Sequence, residues 1–418
     1  MMHQPLKGIK VVELGIFAAA PMCAKVLGDW GADIIKVESL AGDPSRTSGA
    51  ANYGLKVGDP YENPAYENRN LNSRSITLDL KSEEGLQAMY DLLATADVFI
   101  TNMRMKAITK LKLDYETLSP MFPRLVWAAL DGFGTVGPMK DDPGFDIVAF
   151  FAGTGLMIDY CEANSAPLQP AIAFGDFTTG GTLAGGIAAA LFQREKTGKG
   201  EKVMISLMGQ SLFNQANTIM TANMGNDPYP KSRLKPSSPL INNFRCKDGQ
   251  WVMISILDYN RYIGAISEMI GHPEIMQDPR FNEIVEGKKH SAELTVLLDE
   301  WFSTHDYAEV GQKLKDADIA HNRIKHLTDM PDDEQAKANN YIYWAPSRNG
   351  KPMLCVASPI KFGNIDLPPH KFAALLGENS AEILKEIGYS DEKIQKMIDD
   401  KVTSVWTDPI PDIQCENK

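Results

Sequence analysis

The sequence predicts an α/β protein with a large Rossmann-like parallel-sheet domain and a smaller α+β domain. Three observations carry this. Short runs rich in Val and Ile recur with helical stretches between them. Those runs are apolar throughout rather than alternating, as strands covered on both faces must be. The chain of 418 residues, 44% of them hydrophobic, exceeds the length at which a single core stops growing. Taken in order, Gly8 to Glu13 reads as a buried strand, Pro21 to Trp30 as a helix and Ala32 to Glu38 as a second strand, together one βαβ unit. The pattern continues with a helix over Ser82 to Ala96, a strand over Asp97 to Asn102, a helix over Tyr115 to Met121 and a strand over Arg124 to Ala129. Between the two series, Gly42 to Asn72 is rich in Gly, Asn, Pro and Tyr and is expected to be a loop covering the active site.

Thr178 to Arg194 is a helix with an unusual load of glycine, Gly180, Gly181, Gly185 and Gly186. Each costs about 1 kcal/mol relative to alanine inside a helix, so something must approach it closely. Glu201 to Leu207 reads as a strand, followed by a helix to about Ala222 and a polar connector, Asn226 to Lys235. The character then changes: strand Gln250 to Ile256 precedes helices over Arg261 to Ile270, Ser291 to Phe302 and Tyr307 to Ala317. Beyond Pro331 come short strands, Met353 to Val356 and Ile360 to Phe362, and an amphipathic pair, Ser380 to Ile387 and Asp391 to Lys401. The expected division is 1–224 and 331–418 in the large domain, with 225–330 as the small one.

The 42 basic and 54 acidic residues give a net charge of −12, which disfavours nucleic acid or an anionic membrane as partner. Five scattered cysteines form no C-x-x-C pair and fit a reducing compartment. Neither a signal peptide nor a membrane-spanning run is present, so a soluble cytoplasmic protein is expected.

Several chemistries lack their residues. The first βα turn, Leu14 to Pro21, holds only Gly15 where a dinucleotide fingerprint needs three glycines, which argues against a nicotinamide cofactor and leaves Glu38 a polar strand end. Ser211 lacks the second glycine of a nucleophile elbow. Of the seven histidines, His3 alone falls in the first α/β region, and His321 and His326 are badly spaced for a shared metal, so neither histidine catalysis nor a metal site is expected. What remains is Asp176, beside Gly175 and directly before the glycine-rich helix. On pattern alone its simplest role is a helix cap. The alternative is an exposed carboxylate nucleophile surrounded by backbone N–H groups, which needs no base because its ordinary pKa is about 3.9. A second group is basic: Arg104, Lys106, Lys110 and Lys112 follow the carboxyl end of a predicted parallel strand, where open α/β sheets bind ligands, and Arg69, Arg74 and Lys81 are candidates to join them around a polyphosphate.

Gly8-Ile-Lys-Val-Val-Glu-Leu14, Gly31-Ala-Asp-Ile-Ile-Lys-Val-Glu38 with Gly42-Asp-Pro-Ser-Arg46, Leu78-Asp-Leu-Lys81, Pro143-Gly-Phe-Asp146, Gly175-Asp176 and Lys196-Thr-Gly-Lys-Gly-Glu-Lys-Val203 occur in that order. In this arrangement the chain resembles the class III CoA-transferases, CoA-transferase family III, over essentially its whole length. The resemblance implies that Asp176 is the catalytic aspartate. It implies that Ala18, Ala19, Ser39, Leu78, Asp79, Lys81, Asn102, Met103, Arg104, Lys110, Pro143, Gly144 and Phe145 line the site of coenzyme A, the co-substrate. It further implies an interlocked, ring-like homodimer acting on acyl-CoA and carboxylic-acid substrates without a metal. The chain departs from oxalate-using members, with Ala18 for a glutamine, Ser39 for an arginine and no four-glycine loop, which points away from oxalate. Thr101-Asn-Met-Arg104, Lys106-Ala107, Leu113-Asp-Tyr-Glu-Thr-Leu118, Pro143 to Phe151 and Val203 to Met208 are similar to the branch that activates 2-hydroxy acids in amino-acid-fermenting anaerobes. That implies an aryl or branched alkyl acid such as phenyllactate or 2-hydroxyisocaproate. The alternatives are another acid such as carnitine or a dicarboxylate, a CoA-thioester racemase, or a CoA-binding protein without catalysis.

Overall fold

In a computed structural model the described residues are 4–48, 61, 63–222, 224, 229–363 and 371–410. They form two compact units. The first comprises Met1–Thr154, Pro170–Asn214 and Pro331–Lys418, the second Gly155–Gln169 and Gln215–Met330. The stretch 155–169, placed by sequence in the large domain, groups with the second unit, and the division falls at Asn214 rather than at 224.

The first unit is built on six parallel strands: β1 (Lys10–Leu14), β2 (Asp33–Glu38), β3 (Ser73–Thr77), β4 (Val98–Thr101), β5 (Val126–Asp131) and β6 (Lys202–Ser206), in spatial order β3-β2-β1-β4-β5-β6. The order reverses between β1 and β4, which makes their carboxyl ends the switch point where open sheets take ligands. β4 and β5 are almost wholly apolar because helices cover both faces, whereas β1 and β2 each bury a charge, Glu13 and Lys36. One face packs on Leu92, Leu93, Ile108 and Leu118 from the first half of the chain and on Ile383, Leu384, Ile394 and Met397 from the last, all buried in one cluster. Trp127 of β5 lies fully buried among them, and its indole N–H donates to Leu113 O at 2.9 Å. The returning segment is also stitched to β3, with Asp79 N donating to Val402 O at 2.8 Å and Ser404 N to Thr77 Oγ1 at 2.7 Å.

Helix α1 (Ala19–Asp29) and a 24-residue helix over Phe174–Thr197 cover the other face. Their crossing accounts for one glycine of the glycine-rich helix. A Cβ on Gly180 would lie 2.6 Å from Ala19 O and 3.0 Å from Cys23 N, both backbone atoms that cannot swing aside. Gly180→Val is therefore expected to lower stability by about 2 kcal/mol in thermal melts, because overpacking against backbone forces the helices apart. An unchanged melting temperature would contradict this contact.

Residues 49–60 and 62 of the expected covering loop lie outside the described residues. Its described ends are not irregular: Pro44–Arg46 is a 3₁₀ turn and α2 (Pro64–Asn70) is a helix. The Asn63 side chain accepts from Tyr66 N and Pro64 occupies the first turn, a start signal hidden by the short length of the helix. The helix expected after β6 divides into Leu207–Asn214 and Ala216–Ala222. The strand expected over Ile360 to Phe362 is not formed. The partner of Pro352–Val356 is instead Ile342–Pro346, in an antiparallel hairpin.

The second unit has a three-stranded antiparallel sheet, Ile241–Arg245, Trp251–Ser255 and His321–Arg323. Helices Tyr259–Met269, Ser291–Thr304 and Tyr307–Asp316 share its core. Phe244 and Phe302 stack at its centre with ring centroids 4.5 Å apart. Among the described residues no helix is long and apolar enough to cross a membrane, and no group of three His, Cys, Asp or Glu is arranged to hold a metal.

Candidate active site

The carboxyl edge of the sheet gathers four segments. The turn after β1 is pinned from β4: Asn102 Oδ1 accepts from Ile16 N at 2.9 Å and its Nδ2 donates to Ile16 O at 2.8 Å. Phe17 adopts a left-handed φ of 62°, and its N–H reaches Asp43 Oδ1 at 3.2 Å. After β5 the chain loops back so that Gly144 packs on Gly132, where a Cβ on either would meet the other's Cα at 2.6 Å. This sets Phe145 edge-on to Phe17, centroids 6.0 Å apart, and starts a π-helical turn, Asp146–Phe151. Such turns are rare and often mark functional sites. The fourth segment is the start of the long helix, where Phe174 meets Phe151 at 6.1 Å.

That helix begins at Phe174, four residues earlier than the sequence indicates, so Asp176 is inside its first turn and does not precede it. Nor is Asp176 the cap. The N-cap position is Ala173, in the left-handed region with φ 68° and no side-chain oxygen to offer. The acceptor at this helix end is Asp146, which comes from the π-helical turn. Its carboxylate lies against the N–H groups of residues 173–176, close enough to be held down electrostatically, although no aligned hydrogen bond closes on either oxygen. Burial dominates and pushes Asp146 up to about 6, with those N–H groups opposing.

Gly175 makes this arrangement possible. A Cβ there would sit 2.2 Å from Asp146 Oδ1 and 2.3 Å from Phe150 Cγ. Gly175→Ala must displace the carboxylate or the ring, and about 2–3 kcal/mol of stability and most of the activity are expected to be lost together. Wild-type melting and turnover in that variant would exclude the close contact.

Asp176 is half-buried and receives no hydrogen bond from the described residues. Its pKa is pushed up to about 7, first by burial and then by the charge of Asp146, with the Arg69 guanidinium opposing. Arg69, on α2, is buried and lies over the Phe177 ring at 6.0 Å. The sequence grouped Arg69 with the polyphosphate cations, but the structure places it beside Asp176. Asp176 thus feels one negative and one positive neighbour, and two rings of this edge, Phe174 at 57% and Phe145 at 61%, are largely exposed.

Beneath this edge lies a buried charge network that the sequence did not reveal. Lys36 Nζ is 3.0 Å from Glu13 Oε2, 3.2 Å from Asp43 Oδ2 and 3.2 Å from Gly15 O. Glu38 is no idle strand end, since it accepts from Arg46 through both oxygens, at 2.8 and 2.7 Å, and from Ser75 Oγ at 2.7 Å. Burial pushes Glu13 up to about 7 against the pull of Lys36. For Lys36 burial acts downward, but the surrounding carboxylates prevail and its pKa is raised.

The other predicted residues follow strand ends on this edge, apart from Lys110, which ends the helix Met105–Lys110. Ser39 follows β2 and is exposed, Leu78 and Asp79 follow β3, and Lys81 is exposed beyond them. Ala18, Ala19 and Leu78 are buried, leaving their backbones as the groups to offer a ligand. Asn102 has both side-chain polar atoms engaged by Ile16, Met103 is half-buried, and Pro143 is exposed beside the half-buried Gly144. Arg104 and Lys110, with Lys106 and Lys112, are exposed and in no ion pair among the described residues. Arg74 is not with them, being held by Asp33 at 2.6 Å and by Glu386 at 2.6 Å. Three strand spacings, roughly 14 Å, separate β3 from β4, so a ligand touching both Lys81 and Arg104 must be extended.

The sheet thus carries two carboxylates, Asp146 and Asp176, at the start of its glycine-rich helix. The chain belongs to CoA-transferase family III, whose model matches residues 6–380, and it is a CoA-transferase that uses CoA as co-substrate. It is 37% identical to (R)-2-hydroxy-4-methylpentanoate CoA-transferase of Clostridioides difficile, covering 95% of this chain and 99% of that protein. It is 35% identical to cinnamoyl-CoA:phenyllactate CoA-transferase of Clostridium sporogenes, covering 94% and 96%. Among solved structures it is similar to a CAIB/BAIF family protein from Brucella suis, with a TM-score of 0.78 and 30% identity over 92% of this chain and 100% of that one.

Proposed function

We propose that this enzyme transfers CoA reversibly between an acyl-CoA and a free 2-hydroxy acid bearing an aryl or branched alkyl side chain, with Asp176 as nucleophile. The observation that carries the reading is the state of Asp176: half-buried in the first turn of its helix, claimed by no hydrogen-bond donor among the described residues, and with its proton affinity raised by burial and by Asp146. The carboxylate attacks the acyl carbonyl, forming a C–O bond as the C–S bond breaks, to give a mixed anhydride and CoA thiolate. The thiolate attacks the Asp176 carbonyl carbon, the anhydride C–O bond breaks, and the first acid leaves as a carboxylate that carries one of the oxygens of Asp176. The result is an enzyme thioester, and the acceptor acid runs the sequence backward.

Arg104, Lys106 and Lys110 supply unpaired positive charge for the CoA phosphates. Ala18, Ala19 and the Leu78–Lys81 and Pro143–Phe145 segments line the rest of its path. Holding the thiolate near Asp176 between steps contributes several kcal/mol through proximity. The names of the two clostridial relatives and the exposed aromatic rings support the substrate class. The reading includes a cytoplasmic, interlocked homodimer serving amino-acid fermentation. Gly181 and Gly185 support the dimer, because among the described residues of one chain nothing beyond their own helix turns lies within 4 Å of a Cβ placed on either.

The test is to incubate the protein with cinnamoyl-CoA, quench with borohydride and sequence the peptides by mass spectrometry. Reduction at Asp176 is expected, followed by exchange onto (R)-phenyllactate or (R)-2-hydroxy-4-methylpentanoate. Label on another residue, or none, rejects the assignment.

A further inference from the structure

The mechanism above leaves one buried acid without a role. Asp146 is 5% exposed, comes from a segment 30 residues before Asp176, and meets no aligned hydrogen-bond donor, yet the π-helical turn and the side-chain-free Gly175 together press its carboxylate against the turn that carries the nucleophile. A buried carboxylate in this state costs stability. The charged groups acting on Asp176 are Asp146, which raises its proton affinity, and Arg69, which lowers it, and Asp146 itself faces the N–H groups of residues 173–176.

We infer that Asp146 is a positioning residue whose negative charge disfavours the ionised form of Asp176 relative to any neutral acyl derivative, and thereby drives CoA onto Asp176. This rests on Asp176 being the acyl-accepting group. In the net step, Asp176 carboxylate plus acyl-CoA gives Asp176 thioester plus free carboxylate. A C–S bond breaks in the acyl-CoA, another forms at Asp176, and the negative charge leaves on the departing acid. No proton or electron is taken up. The charge moves away from Asp146, so the repulsion present before the step is absent after it. Acylation is in this respect equivalent to protonation: an environment that raises the affinity of Asp176 for a proton raises its affinity for an acyl group by the same electrostatic factor. The repulsion is mutual, but the first-turn N–H groups help hold Asp146 ionised, so it is expressed on Asp176.

The experiment compares wild type with Asp146→Asn in the full chain. Each is equilibrated with cinnamoyl-CoA at a series of cinnamate concentrations, and the Asp176 thioester is measured by borohydride reduction and peptide mass. The equilibrium constant for thioester formation is expected to fall about tenfold or more in the variant. The acidic limb of the rate of thioester formation, near pH 7 in wild type, is expected to move to lower pH. An unchanged constant and limb overturn the inference, even if the variant melts at a lower temperature, because a mere helix cap would show only that loss. Should Asp146→Asn fail to fold, Asp146→Ser, which also removes the charge, is measured in the same way, and an unchanged thioester constant in that variant overturns the inference. Absence of any thioester in wild type removes the nucleophile assignment and this inference with it, whereas an unchanged constant in a labelled Asp146→Asn protein removes this inference alone.

Discussion

Replacing Asp176 with asparagine is expected to lower CoA exchange about 10⁴-fold or more, since an amide offers no nucleophilic oxygen and the remaining binding groups form no covalent intermediate. The same variant is expected to be more stable than wild type in alkaline solution. The pKa of Asp176 in the folded chain, about 7, stands above its ordinary value of 3.8, so between those pH values the folded state binds more protons than the unfolded one. Stability contributed by this group is therefore full below about pH 4 and declines as pH rises through 7. With a discount for partial exposure, the carboxylate costs the folded chain about 2 kcal/mol at pH 8. Thermal melts of wild type and Asp176→Asn should coincide near pH 4 and separate at pH 8, with the variant higher. A variant that retains turnover, or that melts below wild type at pH 8, contradicts the site as described.

The second large effect is expected at Lys36. Its ammonium is shared by Glu13 and Asp43, all three essentially excluded from water. Lys36→Met fills the volume but leaves two buried carboxylates without their cation, which costs about 3–5 kcal/mol. Without the pull of Lys36 the proton affinity of Glu13 rises further, so the deficit should be smaller at pH 5 than at pH 8, and Glu13→Gln added to Lys36→Met should recover part of it. Denaturant unfolding at the two pH values reads this directly. Equal stability of Lys36→Met and wild type would mean that the network does not brace the turn after β1. Because Lys36 also donates to Gly15 O and Asp43 accepts from Phe17 N, activity should fall with stability.

The parallel strands were legible because an apolar run such as Val126 to Leu130 has no soluble face in any other setting, and the expected helix over Tyr115–Met121 forms behind a cap, the Asp114 carboxylate accepting from Thr117 N. The start of the long helix was not. Phe174-Gly-Asp-Phe-Thr-Thr-Gly180 has poor helix formers throughout, and the group packed against its first turn, Asp146, is a distant residue that no local spacing discloses. For the same reason pattern reading favoured a cap at Asp176, and the motif order, not local chemistry, pointed to a nucleophile. The network of Lys36, Glu13 and Asp43 was hidden by position: each residue reads as an ordinary strand-end or loop charge until β1 and β2 are set side by side.

The amide of Asn102 bears on how such a scaffold changes occupation. In nucleotide-cofactor enzymes with this strand order, the pyrophosphate enters where β1 and β4 diverge and takes its hydrogen bonds from the backbone of the first turn. Here the N–H and the carbonyl of Ile16 both face a side chain from β4, which bolts the gap from inside. Restoring glycines to the turn would consequently not restore a nicotinamide site while that bolt remained. A nicotinamide-binding use of this sheet would require a change at position 102 as well as in the loop.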